Sequence, residues 1–431
     1  MNVNITNLNE YKKPSRPVKI AQFGGGVFLR GFFDWMLQKA NDAGLYNGNA
    51  TVIRAKTRGE DPLAAQNYLY THLSRDAKNN DITLVDSIET SISPADHPED
   101  FFSLARSPEL ETVISNTTEA GIFYQYCDFE ENTVPETYPA RLTRLLHERF
   151  KADLSGLLIL PCELIENNAS TLLDIVKKHA TDWALPTEFF AWLETECSFR
   201  NTLVDRIVSG APDTKIDLPY TDNAVNTGEF FHLWVIEGEP DSRLPFADIG
   251  MNIKWVKDVN EYRTLKVRIL NGAHTSMIPF ALLNGVETVG ECMTTEVTRK
   301  HLTSCLFDEI IPSLGEDKKS EAEDYAASVI TRFENPYIHH RCAAISLNSV
   351  SKFKVRVLPS ILEYRKRYGK SPKKLVFSLA QLIKFYKVGA PKDDEKVIAF
   401  IKENSVKDIL ANTDFWGEDI SYLTEEVNVA I

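Results

Sequence analysis

Five short runs of apolar and β-branched residues recur in the first 160 positions, at 18–23, 50–55, 82–87, 112–115 and 157–160. Helical patterns lie between several of them, at 29–43 and at 138–151, where Leu142, Leu145, Leu146 and Phe150 repeat on one helix face. Strand, helix and strand in this order predict a mostly parallel sheet covered by helices on both faces.

The pattern changes near residue 259. Strand-like runs become scarce, and helical candidates follow one another at 260–283, 294–311, 319–332, 338–350, 354–368, 372–386 and 395–404. Turn residues separate them, among them Pro312, Asn335-Pro336 and the stretch from Gly389 to Pro391. The length of 431 residues suits two or three domains at roughly 100–200 residues each. The reading is an α/β domain over 1–256 followed by an all-α domain over 257–431.

Charge and cysteines narrow the function class. Lys and Arg total 48 against 61 Asp and Glu, a net charge of −13. So acidic a chain is a poor general binder of nucleic acid, which needs a basic surface. No run of about 18 apolar residues is present, so no membrane-spanning helix is expected. Residues 1–19 are polar and lack the apolar core of a secretory signal. The six cysteines contain no CxxC pair, a pattern of reduced thiols in the cytoplasm rather than of a disulfide framework or structural zinc site.

The first run ends in glycines, within PVKIAQFGGGVFLRGFFDWM. Glycines between a strand and a helix let the backbone turn tightly and approach a pyrophosphate, at which the helix then aims its free N–H groups. The dinucleotide fingerprint is matched at Gly24 and Gly26, with Leu29 in the third glycine position. The candidate cofactor-binding residues are Ile20, Ala21, Gln22, Phe23, Gly24, Gly25, Gly26, Val27, Phe28, Leu29, Arg30 and Gly31. An ordinary glycine turn is the alternative. The second run ends in Arg54-Ala55-Lys56-Thr57-Arg58, without the carboxylate that would bind the ribose of NAD. Lys56 and Arg58 suit a 2′-phosphate of NADP equally with a solvated loop, so NAD and NADP both stand.

The stretch LKVRILNGAHTSMIPF carries the chemistry. On a helix with Lys266 at zero, His274 falls at about 80° and Asn271 at about 140°. Leu270, Met277 and Ile278 share that arc, so the polar groups sit on a partly buried face. Burying them costs desolvation energy unless they are paired or used. A lysine so placed can exchange a proton near neutral pH. An asparagine amide can donate to an alkoxide or carbonyl oxygen, and the histidine can bind a second hydroxyl or orient the lysine. A snorkelling lysine and a satisfied core histidine are the plainer reading of either residue singly. A catalytic zinc would need clustered ligands. His339-His340 and Cys162-Glu163 are the only suggestive pairs, and neighbours on a helix point about 100° apart.

Lys266, Asn271 and His274, spaced K-x4-N-x2-H in KVRILNGAHT, resemble the signature of the polyol-specific long-chain dehydrogenases, the mannitol dehydrogenase family. The resemblance extends in order through IAQFGGGVFLRGFFDW, SNTTEAGI, YPARLTRLLHERF, LPCELIENN, NTLVDRIV, RFENPYIHH and SLNSVSKFKVRVLP. It implies a Rossmann-type N-terminal domain, a helical C-terminal domain and NAD-dependent, metal-independent hydride transfer. The implied reaction is reversible reduction of tagaturonate to altronate, with another hexuronate or polyol, or a sugar phosphate, as the alternative. Carried over by position, Lys266 is the general acid/base, Asn271 and Asn168 stabilise the oxyanion, and His274 contacts substrate. Asp205 and Lys352 are the implied further substrate contacts. The substrate carboxylate needs a cation, for which Lys352, Lys354 and Arg356 are candidates. A non-catalytic nucleotide sensor is the rival from another class, and it would have no need of the proton-transfer residues.

Overall fold

The computed structural model describes residues 6–54, 61, 63–118, 120–212 and 215–431; Lys56 and Arg58 lie outside the described residues. The chain forms two compact units, Met1–Val259 and Asn260–Ile431.

The strands of the first unit are β1 (Val18–Phe23), β2 (Asn49–Ile53), β3 (Tyr70–Arg75), β4 (Asn80–Val85), β5 (Ile88–Ile92), β6 (Thr112–Ser115) and β7 (Leu158–Pro161). They continue with β8 (Ser198–Phe199), β9 (Thr202–Asp205), β10 (Val208–Gly210), β11 (Asn226–Gly228), β12 (Leu233–Glu237) and β13 (Ile253–Val256). Six of them build one sheet in the order β5-β2-β1-β6-β7-β8, and every pair is parallel. Counted along the chain, that order runs third, second, first, fourth, fifth, sixth. This is the doubly wound arrangement of dinucleotide-binding domains, with its reversal between β1 and β6.

Alternation along the strands explains the two covered faces. Ala21, Phe23, Val113 and Ile159 point to one core, with Leu142, Leu145 and Leu146 of helix Tyr138–Lys151 and Leu172 and Val176 of helix Asn168–Asp182. Ile20, Ile114, Leu158 and Leu160 point to the other, with Phe33, Met36 and Leu37 of helix Phe33–Asp42 and Trp234. Burying each such side chain stabilises the sheet by about 1.5–3 kcal/mol.

Two local expectations change. The run at 82–87 is not the third parallel strand. Its first part is β4, which pairs antiparallel with β3, and the parallel strand is β5. Asp86 marks the switch between sheets, held by Arg16 at 2.6 Å and the Tyr11 hydroxyl at 2.7 Å. The helix expected over 29–43 is broken into Val27–Arg30 and Phe33–Asp42. Gly31 lies in the break because a second sheet crosses there: a Cβ on it would stand 2.7 Å from Val208 Cγ1 and 2.9 Å from Asn226 Nδ2.

The second unit is helical among its described residues. Its core surrounds helix Gly272–Leu283, whose Ala273, Met277, Ile278 and Ala281 are buried against neighbours that include helices Glu296–Ser304, Ser349–Arg356 and Lys373–Val388. The helix expected over 338–350 is confined to Cys342–Ile345, with a new one beginning at Ser349. The chain before it is extended, pinned by a bridge between Thr288 and Arg341 and by Val289 N–H donating to His340 O at 3.0 Å.

Candidate functional site

The glycine turn sits where the sheet order reverses, the place at which ligands bind in open parallel sheets. Phe23 and Ser115 are in register at the strand ends. Gly24 leaves β1 at φ +107°, and a Cβ there would lie 2.8 Å from Asn116 O, so only glycine fits. Gly25, Gly26 and Val27 are exposed, and nothing lies within 4 Å of a Cβ built on Gly26. The turn is thus a bare backbone cradle of the kind a pyrophosphate occupies. Leu29 is buried, so the third fingerprint position faces the core. The neighbouring strand ends are laced together. The Glu163 carboxylate accepts from Ser115 Oγ (3.0 Å), Thr117 N–H (2.8 Å) and Thr117 Oγ1 (2.9 Å), and burial pushes its pKa up.

Beneath the turn, Gln22 Nε2 donates to Gly24 O at 3.1 Å and to the Asp34 carboxylate at 3.3 Å. Desolvation pushes the wholly buried Asp34 up to about 7 from 3.8, against the smaller opposing pulls of Gln22 and Arg30. The folded state therefore holds a proton that the unfolded state releases between these two values. Asp34's stabilising contribution is full below pH 3.8 and is lost as pH rises through 7. Asp34→Asn stays neutral throughout. It is expected to raise the unfolding free energy at pH 8 by up to about 4 kcal/mol and to change it little at pH 4. Denaturant titrations at the two pH values check this, and equal shifts at both would contradict it.

Asn168 begins the helix after β7 and is buried. Its Nδ2 donates to Pro161 O (2.9 Å), Glu163 O (3.1 Å) and Thr202 O (3.1 Å), and its Oδ1 accepts from the N–H groups of Ala169 (2.9 Å) and Thr202 (3.0 Å). An amide has two donor protons. Both are directed at carbonyls, and the side chain ties the ends of strands together. Asp205 is buried at the end of β9, opposite Leu233 in the three-stranded sheet rather than in the parallel one.

In the second unit, residues Asn260 to Leu283 run as one rod whose middle, Lys266–Asn271, is a π-helical turn. The angular reading at 100° per residue fails across it. A π turn closes from residue i to i+5, so Asn271 lies one turn from Lys266 on the same side instead of about 140° around. Such turns occur mostly as single interruptions of α-helices, frequently at functional sites. Lys266 is only 7% exposed and His274 6%.

The His274 ring stacks on Phe333, with centroids 4.2 Å apart and planes at 24°, and meets the edge of His340 at 5.1 Å and 82°. Burial above all, then His340, Arg356, Arg332 and Lys352, holds His274 well below the usual histidine range. Burial and Lys352 push His340 down to about 4. Both imidazoles are therefore neutral at pH 7. Buried ring nitrogens on each, His274 Nε2 and His340 Nδ1, have no hydrogen-bond partner among the described residues. Lys352, from helix Ser349–Arg356, donates Nζ to Ile345 O at 2.9 Å. Lys354 turns elsewhere, to Asp414 O at 3.3 Å.

The second unit thus gathers Lys266, Asn271, His274 and Lys352, and the first carries the glycine turn, Asn168 and Asp205. His340 and Phe333 are the neighbours that sequence reasoning did not place. The signal for His340 was the adjacent histidine pair, which had been weighed only as a metal site. Among the described residues no group of three or more His, Cys, Asp and Glu side chains could hold a metal ion, and no helix is long and apolar enough to cross a membrane.

Two family models match, described as the mannitol dehydrogenase Rossmann domain over residues 18–246 and the mannitol dehydrogenase C-terminal domain over 258–430. An altronate oxidoreductase of Bacillus subtilis is 39% identical over 446 residues, covering 96% of this chain and 92% of that protein. One from Halalkalibacterium halodurans is 38% identical over 416 residues, covering 93% of this chain and 81% of its own. The fold is that of a Pseudomonas fluorescens mannitol 2-dehydrogenase solved as a ternary complex with NAD and D-mannitol, with TM-score 0.77, 20% identity, and 99% of this chain and 92% of that one covered. It is likewise that of a D-sorbitol dehydrogenase solved without substrate, with TM-score 0.78, 20% identity, and 99% and 97% covered. The chain belongs to the mannitol dehydrogenase family and is an oxidoreductase acting on CH–OH groups.

Proposed function

We propose that the chain reduces tagaturonate to altronate, reversibly and without a metal, with NAD(H) as the redox partner in a reducing cytoplasm. The observation that carries this reading is the π-helical turn that aligns Lys266 with Asn271 beside a neutral, unpartnered His274 and the cationic Lys352. The substrate rests on the altronate oxidoreductases that resemble the chain over nearly all its length. The cofactor rests on the doubly wound sheet and on the open glycine cradle at Gly24, Gly25 and Gly26. The compartment rests on six free thiols.

The backbone from Gly24 to Val27 would hold the pyrophosphate, and bound NADH supplies the hydride. Charge then gathers on the substrate's carbonyl oxygen. The Asn271 amide donates to that oxygen, a contribution of about 2.7–4 kcal/mol for one well-placed donor. Lys266 gives the alkoxide its proton, and in the reverse direction neutral Lys266 removes it. With the Asn168 amide engaged by carbonyls, Asn271 is the donor we assign. His274, neutral at working pH, offers its bare Nε2 to a neighbouring hydroxyl.

The test is NADH oxidation by the purified protein with a chelator present, comparing tagaturonate, fructuronate and fructose. Rapid oxidation with tagaturonate alone is expected. Turnover of another ketose only would move the substrate, and turnover of none with NADH or NADPH would sink the reading in favour of a nucleotide sensor.

A further inference from the structure

His340 is a half-buried residue with no role in the proton transfer set out above. Its Nδ1 is shielded from solvent and has no hydrogen-bond partner among the described residues, and its ring meets the His274 ring edge-on at 5.1 Å. A bare nitrogen kept from water costs free energy unless something binds it. The backbone that carries the ring is held in place. Val289 N–H donates to His340 O at 3.0 Å, Cys342 N–H to Glu287 O at 2.8 Å, and Thr288 bridges Arg341. Anchors at His340 and at the two residues after it preorganise this segment, which lowers the cost of engaging a ligand.

The surroundings indicate the charge of that ligand. The Lys352 ammonium acts on both imidazoles, and the guanidiniums of Arg332 and Arg356 act on His274. No carboxylate figures among the groups that shift either ring. Two neutral imidazoles in a field of cations suit an anion that also presents hydroxyls: the imidazoles supply hydrogen bonds without repelling the ligand's polar atoms, and the lysine supplies charge.

We propose that His340 is a specificity-determining residue which, with His274 and Lys352, forms the subsite for the carboxylate end of a sugar acid. This rests on the oxidoreductase reading above and goes beyond it in assigning the discrimination between a uronate and a neutral ketose to one side chain. Lys352 binds the carboxylate as a point charge. His340 holds a carboxylate oxygen or the hydroxyl next to it, and the stacked Phe333 keeps the His274 ring in register.

The experiment measures kcat and KM for tagaturonate and for fructose in wild type, His340→Ala and His340→Gln. The Ala variant is expected to lower the tagaturonate-to-fructose ratio of kcat/KM at least tenfold, chiefly through KM for the uronate, with Gln recovering part of the loss. An unchanged ratio, or equal losses on both substrates, would overturn the proposal. Thermal melts confirm that at least the Gln variant is folded. A second measurement separates this proposal from the reaction itself. Altronate, and separately its neutral counterpart altritol, are titrated into wild-type protein while the imidazole resonances are followed by NMR, with His340 assigned by its absence from the Gln variant. A His340 shift with altronate and a much weaker one with altritol supports the subsite even if no ketose is turned over. No preference between the two ligands rejects it even in an active enzyme.

Discussion

Lys266→Ala is expected to leave the fold and nucleotide affinity close to wild type while turnover falls by about 10²–10⁴, the range that a positioned acid/base contributes. Several observations set that expectation. Lys266 is buried yet sits on a helix whose geometry departs from the α form at that residue, and the departure aligns it with an amide donor. A lysine serving only as packing would be replaceable by methionine, which has similar bulk. Lys266→Met is therefore the discriminating companion. If it turns over at near wild-type rate, Lys266 carries no proton. Steady-state rates for both variants, with melting curves to show that they are folded, decide the matter.

Asn168→Ala should act on stability rather than on chemistry alone. The side chain makes five hydrogen bonds, all to backbone groups, and joins the end of β7 to the start of β9. Truncation strands the carbonyls of Glu163 and Thr202 and the N–H of Thr202 in a buried place, while Pro161 O keeps the Thr202 hydroxyl. At about 1–3 kcal/mol for an unsatisfied buried group, with some relaxation, the expected loss is about 3–5 kcal/mol. Asn168→Asp should fare no better, because an ionised carboxylate would face three carbonyl oxygens. Denaturant titration measures both. A variant that keeps wild-type stability but loses turnover would restore the oxyanion role.

The parallel sheet and the helical half could be read from the sequence because burial on both faces leaves continuous apolar runs, while one-faced helices leave a period near 3.6. Which sheet a run joins could not. Residues 82–85 look as strand-like as 88–92, and only the pairing of β4 with β3 separates them. The glycine turn was visible because a positive φ and a close approach both demand glycine, as at Gly24. The break at Gly31 was not, since the reason for it is Val208 and Asn226, some 180–195 residues further on. Lys266, Asn271 and His274 were found by type and spacing, but their angular relation was misjudged because the period assumed was that of an ordinary helix. The commitments of Asn168 were hidden because its partners are backbone carbonyls, which leave no trace in residue identity. His340 was visible only as half of a histidine pair, and its meaning comes from Phe333, Lys352 and His274 meeting in space.

The π-helical turn ties the five-residue spacing of Lys266 and Asn271 to one backbone form within the rod from Asn260 to Leu283. A π turn is what an α-helix becomes when it absorbs one extra residue. Deleting a single position between Val267 and Leu270 would let the helix heal into the regular form, the conformation most of its hydrogen bonds prefer. Locally that healing is favourable. The two residues would then be four apart, at about 40° on the regular helix, so Lys266 and Asn271 would stay on one side; at the present spacing of five, the regular helix would set them about 140° apart. Surface loops absorb insertions and deletions readily. In this stretch the residue count and the backbone form are tied to each other: a spacing of five between lysine and asparagine works only with the π turn, and a spacing of four only with the regular helix.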